Sequence, residues 1–114
     1  LTRTLVLDHG VDVILHSGAY FRDPSFQSWH AFATTRAIEN QIFLLSLNRA
    51  GSDYGNSLFC WPWMDEAIQP VAFTQTEEDF KFVTLDKAVL HDARNEYAFL
   101  QDRLDDYAIL LISD

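Results

Sequence analysis

The feature that most constrains the fold is residues 29–51, where a helical pattern passes directly into an apolar strand and then into a loop. Residues 42–47 (IFLLSL) are almost uniformly apolar, which is typical of a strand covered on both faces. A helix that leads into a strand of this kind predicts an α/β fold. The apolar residues of that helix recur at the spacing of one buried face: Phe26, Trp29, Ala33 and Ala37.

The sequence before this stretch predicts a helix, a strand and a loop. Residues 1–9 read as a helix that Gly10 ends in the left-handed conformation, and residues 11–15 (VDVIL) read as a strand. The following loop lies at the carboxyl end of that strand, where open α/β sheets commonly bind ligands. Asp23 is expected to cap the next helix, with Pro24 as its first residue.

The second half of the chain predicts shorter elements. An Asp-Tyr-Gly-Asn turn follows the apolar strand, and its residue types suit positive φ angles. The tail, residues 104–114, contains an apolar run that we expect to pack on the domain or on a partner chain. The remaining predicted elements are strands at residues 57–61, 67–74 and 80–85 and a helix at residues 87–97 capped by Asp86.

Composition narrows the class of protein. A chain of 114 residues fits one domain, and 48% hydrophobic residues indicate a globular one. A net charge of −9 argues against nucleic acid or an anionic membrane as partner, because both require a cationic face. The single cysteine permits no internal disulfide, so we expect a cytoplasmic protein. No apolar run approaches the length that spans a bilayer.

Several motifs together carry a family resemblance. Residues 36–40 (RAIEN) end the long helix, and residues 48–51 (NRAG) follow the apolar strand. This order resembles the carbon–nitrogen hydrolases of the nitrilase superfamily. The other matching positions are Gly10-Val11-Asp12, the loop Ser17-Gly18-Ala19-Tyr20, the helix tryptophan Trp29, Gly55-Asn56-Ser57-Leu58 before Pro62, and Leu85-Asp86, Arg94, Arg103 and Tyr107 near the end. Residues 63–66 depart from the family, which usually has a glycine-containing turn there.

The resemblance implies a fold and an activity. It implies that residues 1–114 are the C-terminal half of an α-β-β-α sandwich, with one sheet face left for the missing half to cover. The family hydrolyses small non-peptide amides through a cysteine thioester, and an ω-amidase-like substrate is expected. Its Glu-Lys-Cys triad is expected upstream of Leu1, so we assign no catalytic residue to this chain. No metal or organic cofactor is implied, and a homodimer formed through the long helix and the tail is expected.

The resemblance also names substrate-binding candidates: Ala19, Tyr20 and Trp29. For Trp29, a core role and a ligand contact both stay open. His16 ends the first strand beside the loop and could touch substrate or make a local hydrogen bond. Asn48 and Arg49 are expected to hold the loop backbone, with ligand contact as the alternative.

The remaining reactive residues favour structural roles. Cys60 lies within a strand with no activating motif, so we expect a buried thiol. The four histidines lack the spacing of metal ligands. Arg36 and Glu39 are three residues apart on the helix and could form a solvated ion pair. A different class of function also stays open, in which the chain is a catalytically inactive remnant or a dimerisation and binding module. Net charge alone also allows an acidic protein-interaction domain.

Overall fold

The computed structural model describes residues 1–104, which form a small mixed α/β domain with three helices and a four-stranded sheet. The α/β prediction is therefore confirmed at this level. Residues 105–114, which include Tyr107 and most of the apolar tail, lie outside the described residues. In chain order the elements are α1 Thr2–His9, β1 Val13–Ser17, α2 Phe26–Asn40, β2 Phe43–Leu47, β3 Leu58–Cys60, β4 Val71–Ala72 and α3 Lys87–Glu96.

The sheet has the order β1-β2-β3-β4. β1 and β2 are parallel, in register from Val13 opposite Phe43 to Ser17 opposite Leu47, and the other two pairs are antiparallel. A parallel pair needs a crossover connection, which α2 provides here. The carboxyl ends of β1 and β2 therefore meet at one edge, and the loops that follow them lie side by side.

Each face of β2 packs against a helix, which explains its uniform apolar sequence. On one face, Ala33 and Ala37 of α2 pack on Leu44, Leu58 and Cys60 of the sheet. On the other face, Phe43 and Phe59 are buried with Leu90 of α3. The predicted inner residues of α2, namely Phe26, Trp29, Ala33 and Ala37, are all buried.

The face of the sheet that α3 contacts is incompletely covered. Leu15 of β1 is 73% exposed and Leu47 of β2 is 41% exposed, although both share this face with Val13 and Phe43.

Polar contacts fix α3 against the amino ends of the strands. Arg94 donates from Nη1 to Asp12 Oδ1 (3.1 Å) and from Nε to the carbonyl of Gln41 (3.1 Å). Gln41 is fully buried in the left-handed conformation (φ 50°), and its Nε2 donates to the carbonyls of Ala93 and Tyr97. Two of the predicted caps also form: Gly10 is left-handed (φ 64°), and Asp86 accepts a hydrogen bond from the Ala88 amide.

Three predicted boundaries are wrong. β1 begins at Val13 and ends at Ser17, two residues later than predicted. Helix α2 begins at Phe26 after Ser25, because the carboxylate of Asp23 accepts hydrogen bonds from Ser25 N and Oγ and closes the preceding turn instead. Those hydrogen bonds lower the pKa of Asp23. In the predicted strand at 67–74 only Val71–Ala72 pairs, after a proline that has no amide hydrogen to donate.

The strand predicted at residues 80–85 is also wrong. This segment contains no helix or strand, and Phe80 and Phe82 are 80% and 91% exposed. Alternation of apolar and polar residues gives a strand only when a neighbouring strand pairs with its backbone hydrogen-bonding groups. Within residues 1–104, no strand lies beside this segment. In residues 63–66, which follow Pro62, Trp63 stacks on Tyr97 with ring centroids 3.8 Å apart.

Candidate functional site

The three predicted substrate-binding residues lie together at the carboxyl edge of the β1–β2 pair. The ring of Tyr20, from the loop after β1, stacks on Trp29 of α2 with centroids 4.4 Å apart and planes at 10°. Ala19 is exposed beside them. These three residues line a groove of about 430 Å³, which we call the outer groove, with Phe21, Asp23, Ser25, Phe26, Ser28 and Phe32.

Trp29 is both a core residue and a wall of this groove. The rings of Phe26 and His30 pack against the Trp29 ring at steep angles, with centroids 5.3 Å and 4.6 Å from its own. Trp29 is only 8% exposed. Its indole Nε1 donates to Ser46 Oγ at 2.8 Å, which ties α2 to β2. The orientation of the ring is therefore set by the core, and the residue still faces the groove.

Asn48 holds the loop that carries Tyr20. Its Oδ1 accepts from Tyr20 N (2.7 Å), and its Nδ2 donates to the carbonyls of Tyr20 (2.9 Å) and Gly55 (3.0 Å). The prediction that Asn48 holds the loop backbone is confirmed. Arg49 holds the loop after β2 through its backbone, because its carbonyl accepts from Gly55 N (2.7 Å), and its guanidinium lies over the ring of Tyr54 at 4.8 Å.

A second anchor of this loop was missed by sequence reasoning. Arg22 donates from Nε to the carbonyl of Tyr54 (2.8 Å) and from Nη2 to Asn56 Oδ1, and its guanidinium lies 4.2 Å from the centroid of Phe26. A lone arginine in a loop gives no pattern that predicts such contacts.

Asn56 links three segments of the chain. It has a φ of 51°, its Nδ2 donates to the carbonyl of Phe73 (2.8 Å), and its own carbonyl accepts from His30 Nε2 (2.7 Å). The asparagine in the Asp-Tyr-Gly-Asn turn was a signal for the positive φ, which the structure confirms. The preceding Gly55 has a φ of 85°, and a Cβ there would lie 2.3 Å from the carbonyl oxygen of Gln75. No other residue fits at that position.

A smaller cavity lies on the inner side of the Tyr20–Trp29 pair, between α1, α2 and the sheet. It has a volume of about 180 Å³, and its polar lining residues are Thr2, His16, Tyr20, Arg36 and Ser46. His16 Nδ1 lies 3.4 Å from the Tyr20 hydroxyl, so the local hydrogen bond expected of His16 is present. We call this space the inner cavity.

Cys60 is not placed for nucleophilic chemistry. The residue is 1% exposed, and burial raises the pKa of its thiol to about 11, against a small opposing effect of the hydrogen bond with Thr34. A thiol with that pKa is protonated at neutral pH, so it offers little thiolate. The prediction of a buried structural thiol is confirmed. Residues 1–104 contain no group of three or more His, Cys, Asp or Glu residues that could hold a metal ion.

The motif at the end of α2 acts within the scaffold. Arg36 and Glu39 form an ion pair with side chains 50% and 42% exposed. The carbonyl of Glu39 accepts from Arg3 of α1 (2.9 Å), and Asn40 Nδ2 donates to the carbonyl of Arg36 (2.9 Å). These contacts join α1 to α2 and close the last turn of α2.

The comparisons with known proteins add no family. No protein-family model matches the sequence, and no curated protein is significantly similar to it. In the described part of the chain, every helix is too short or too polar to cross a membrane.

Proposed function

We propose that residues 1–114 are the C-terminal part of a carbon–nitrogen hydrolase of the nitrilase type, acting on a small non-peptide amide such as the ω-amide of a dicarboxylic acid. Two things support this proposal. The motifs of the sequence occur in the order of that family, and the described elements have the strand, loop, helix and strand sequence that those motifs imply.

The observation that carries the proposal is the stacked Tyr20–Trp29 pair beside Ala19. Asn48 fixes the loop on one side through two hydrogen bonds to Tyr20 and ties it to Gly55 through a third, and Ser46 fixes the indole on the other side. A wall that is ordered before substrate arrives costs no ordering entropy on binding. Flat aromatic faces next to the small side chain of Ala19 suit a short planar acyl group.

The chemistry that we propose uses a cysteine thiolate upstream of Leu1. The thiolate sulfur attacks the amide carbonyl carbon, the C–N bond breaks, and the nitrogen leaves as ammonia after it takes a proton from the general acid. Water then attacks the thioester and releases the carboxylic acid and the thiol. A lysine and backbone amides would stabilise the tetrahedral oxyanion. The described residues contribute the pocket wall, because their one thiol is the buried Cys60.

The finer architecture belongs to the same proposal. In an α-β-β-α sandwich a second sheet would cover Leu15 and Leu47 on the face that α3 leaves open. The outward side of α2, where Phe32 is 65% exposed, would pair with a second copy in a homodimer, and we place the protein in the cytoplasm.

Ammonia release by the gene product that includes the sequence before Leu1 tests this proposal. We expect hydrolysis of short ω-amides. Trp29→Ala should raise KM or abolish turnover, and Trp29→Phe should retain part of the activity because it keeps a ring against Tyr20. Trp63→Phe is the matched control, since Trp63 stacks on Tyr97 far from the groove, and it should leave KM unchanged. Absence of hydrolysis over a panel of small amides would contradict the proposal.

A second function is favoured by the exposed apolar residues Leu15, Phe80 and Phe82. If a partner covers these residues and the chain hydrolyses no amide, the chain is an inactive remnant that serves as a dimerisation or binding module. In that case the intact mass of the product from its own cells should be near 13.1 kDa. Sedimentation should then show a dimer that hydrolyses no amide.

A further inference from the structure

We infer that the inner cavity binds a compact uncharged ring that carries one hydrogen-bond acceptor. The cavity lies between α1, α2 and the sheet and has a volume of about 180 Å³. An engineered apolar cavity of about 150 Å³ in another protein binds benzene. The inference stands on this geometry and does not require amide hydrolysis.

The walls of the cavity select an apolar ligand. Ile14 and Leu44 line it from the sheet, and Trp29, Phe32 and Ala33 line it from α2. The charge of the one cationic lining residue, Arg36, is paired with Glu39 at the surface. No carboxylate lines the cavity, so a charged ligand would lose its hydration without gaining a partner.

Ser46 is the residue that favours a ligand with a hydrogen-bond acceptor. This serine is 1% exposed, and its Oγ already accepts the indole hydrogen of Trp29 at 2.8 Å. Among residues 1–104 the indole is its only hydrogen-bond partner, so the hydroxyl proton remains free to donate. A buried donor without an acceptor is costly, and a ligand nitrogen or carbonyl oxygen inside the cavity would satisfy it.

Benzene and pyridine are matched probes, because they have nearly the same shape and pyridine adds a ring nitrogen that accepts. We would titrate the full chain with each at a mildly alkaline pH that keeps pyridine neutral. The Trp29 indole N–H resonance reports binding. Both ligands should give saturable shifts. Ser46→Ala should weaken pyridine about five-fold and leave benzene unchanged, as expected for the loss of one hydrogen bond. Ser46→Thr, which keeps the hydroxyl, should restore pyridine.

Filling the cavity tests its location. Ala33→Met should abolish both shifts, and Ile14→Phe fills the same space from β1 if the first variant does not fold. Ala19→Val is the control, because Ala19 lines only the outer groove. The inference is overturned if benzene gives no saturable shift, if the filled variants still bind it, or if Ser46→Ala weakens both probes equally.

Discussion

Two regions of this molecule that both contain aromatic and β-branched residues have different structures. The crossover unit, residues 13–47, contains β1, α2 and β2, and both faces of β2 are packed against helices. The irregular segment, residues 73–86, contains aromatic and β-branched residues but no helix or strand, and its Phe80 and Phe82 face solvent. The strands and helix of the crossover unit pair with and pack on one another, and β3 and α3 complete the packing of β2, whereas the irregular segment lacks a neighbouring strand among the described residues. An apolar pattern in the sequence therefore forms a helix or strand only where hydrogen-bonding and packing partners are present.

The largest expected effect is on the free energy of unfolding when one phenylalanine side chain is removed from each region. Phe43 of β2 is 1% exposed and Phe82 of the irregular segment is 91% exposed. Phe43→Ala should lower the free energy of unfolding by about 3–5 kcal/mol, because it opens a cavity in the core. Phe82→Ala should change it by less than about 0.5 kcal/mol. Urea denaturation of the two variants measures both values. Equal losses would mean that Phe82 is packed in solution and that the contrast is wrong.

The next effect is the pH dependence of the free energy of unfolding that Cys60 causes, because Cys60 is buried on the face of the sheet that α2 covers. Burial raises the pKa of Cys60 from 9.0 to about 11 in the folded chain. The unfolded chain therefore releases the thiol proton first, so this contribution to stability is full below pH 9 and is lost as the pH rises towards 11. Relative to Cys60→Ala, the wild type should lose about 2–3 kcal/mol over that interval.

Denaturation of the two proteins at several pH values measures this difference. Cys60→Ala serves as the reference, because every other titratable group contributes equally to both proteins. A constant difference would show that water reaches Cys60 and that the α2 face of the sheet is not dry.

A smaller effect compares one polar anchor from each region. Asn48→Ala removes two hydrogen bonds to Tyr20 in the loop after β1 and a third to the carbonyl of Gly55, and we expect a loss of about 2 kcal/mol. Asp79→Ala in the irregular segment removes one hydrogen bond to Thr74 N and a partly exposed ion pair with Lys81 (3.5 Å), with an expected loss of about 0.5–1 kcal/mol. Hydrogen exchange at the Tyr20 amide should accelerate in the first variant only. Unchanged Tyr20 protection in Asn48→Ala would show that Asn48 does not hold the loop.

The smallest effect lies on the outer surface of the crossover unit. Arg36 and Glu39 form an ion pair with about half of each side chain exposed. Glu39→Gln should change the free energy of unfolding by no more than about 0.5 kcal/mol, and high salt should reduce the difference further. A larger, salt-resistant loss would indicate that this pair is buried in an assembly such as the expected homodimer.

The same contrast explains what the sequence could predict. The helix and strand of the crossover unit follow from apolar spacing, and the caps at Gly10 and Asp86 follow from residue type. Cys60 and Asn48 also have the roles that their surroundings in the sequence indicated. The strand at residues 80–85 could not be rejected, because alternation does not reveal whether a partner strand exists.

The residues of the candidate site also divide into those that the sequence predicted and those that it did not. Ala19, Tyr20 and Trp29 could be proposed from motifs, but the stacking of the two rings depends on a crossover that brings the loop above the helix. The anchors Arg22 and Ser46 contact residues 34 and 17 positions away, respectively. Such contacts are set by the tertiary structure, and no local pattern indicates them.

The measurement that tests the proposed function most directly is the mass of the acyl-enzyme. The gene product that includes the sequence before Leu1 would be mixed with a short ω-amide, quenched in acid and analysed as intact protein and as peptides. The account predicts an adduct equal to the amide minus ammonia on a cysteine upstream of Leu1, with Cys60 unmodified. An adduct on Cys60, or amide hydrolysis by residues 1–114 alone, would contradict it.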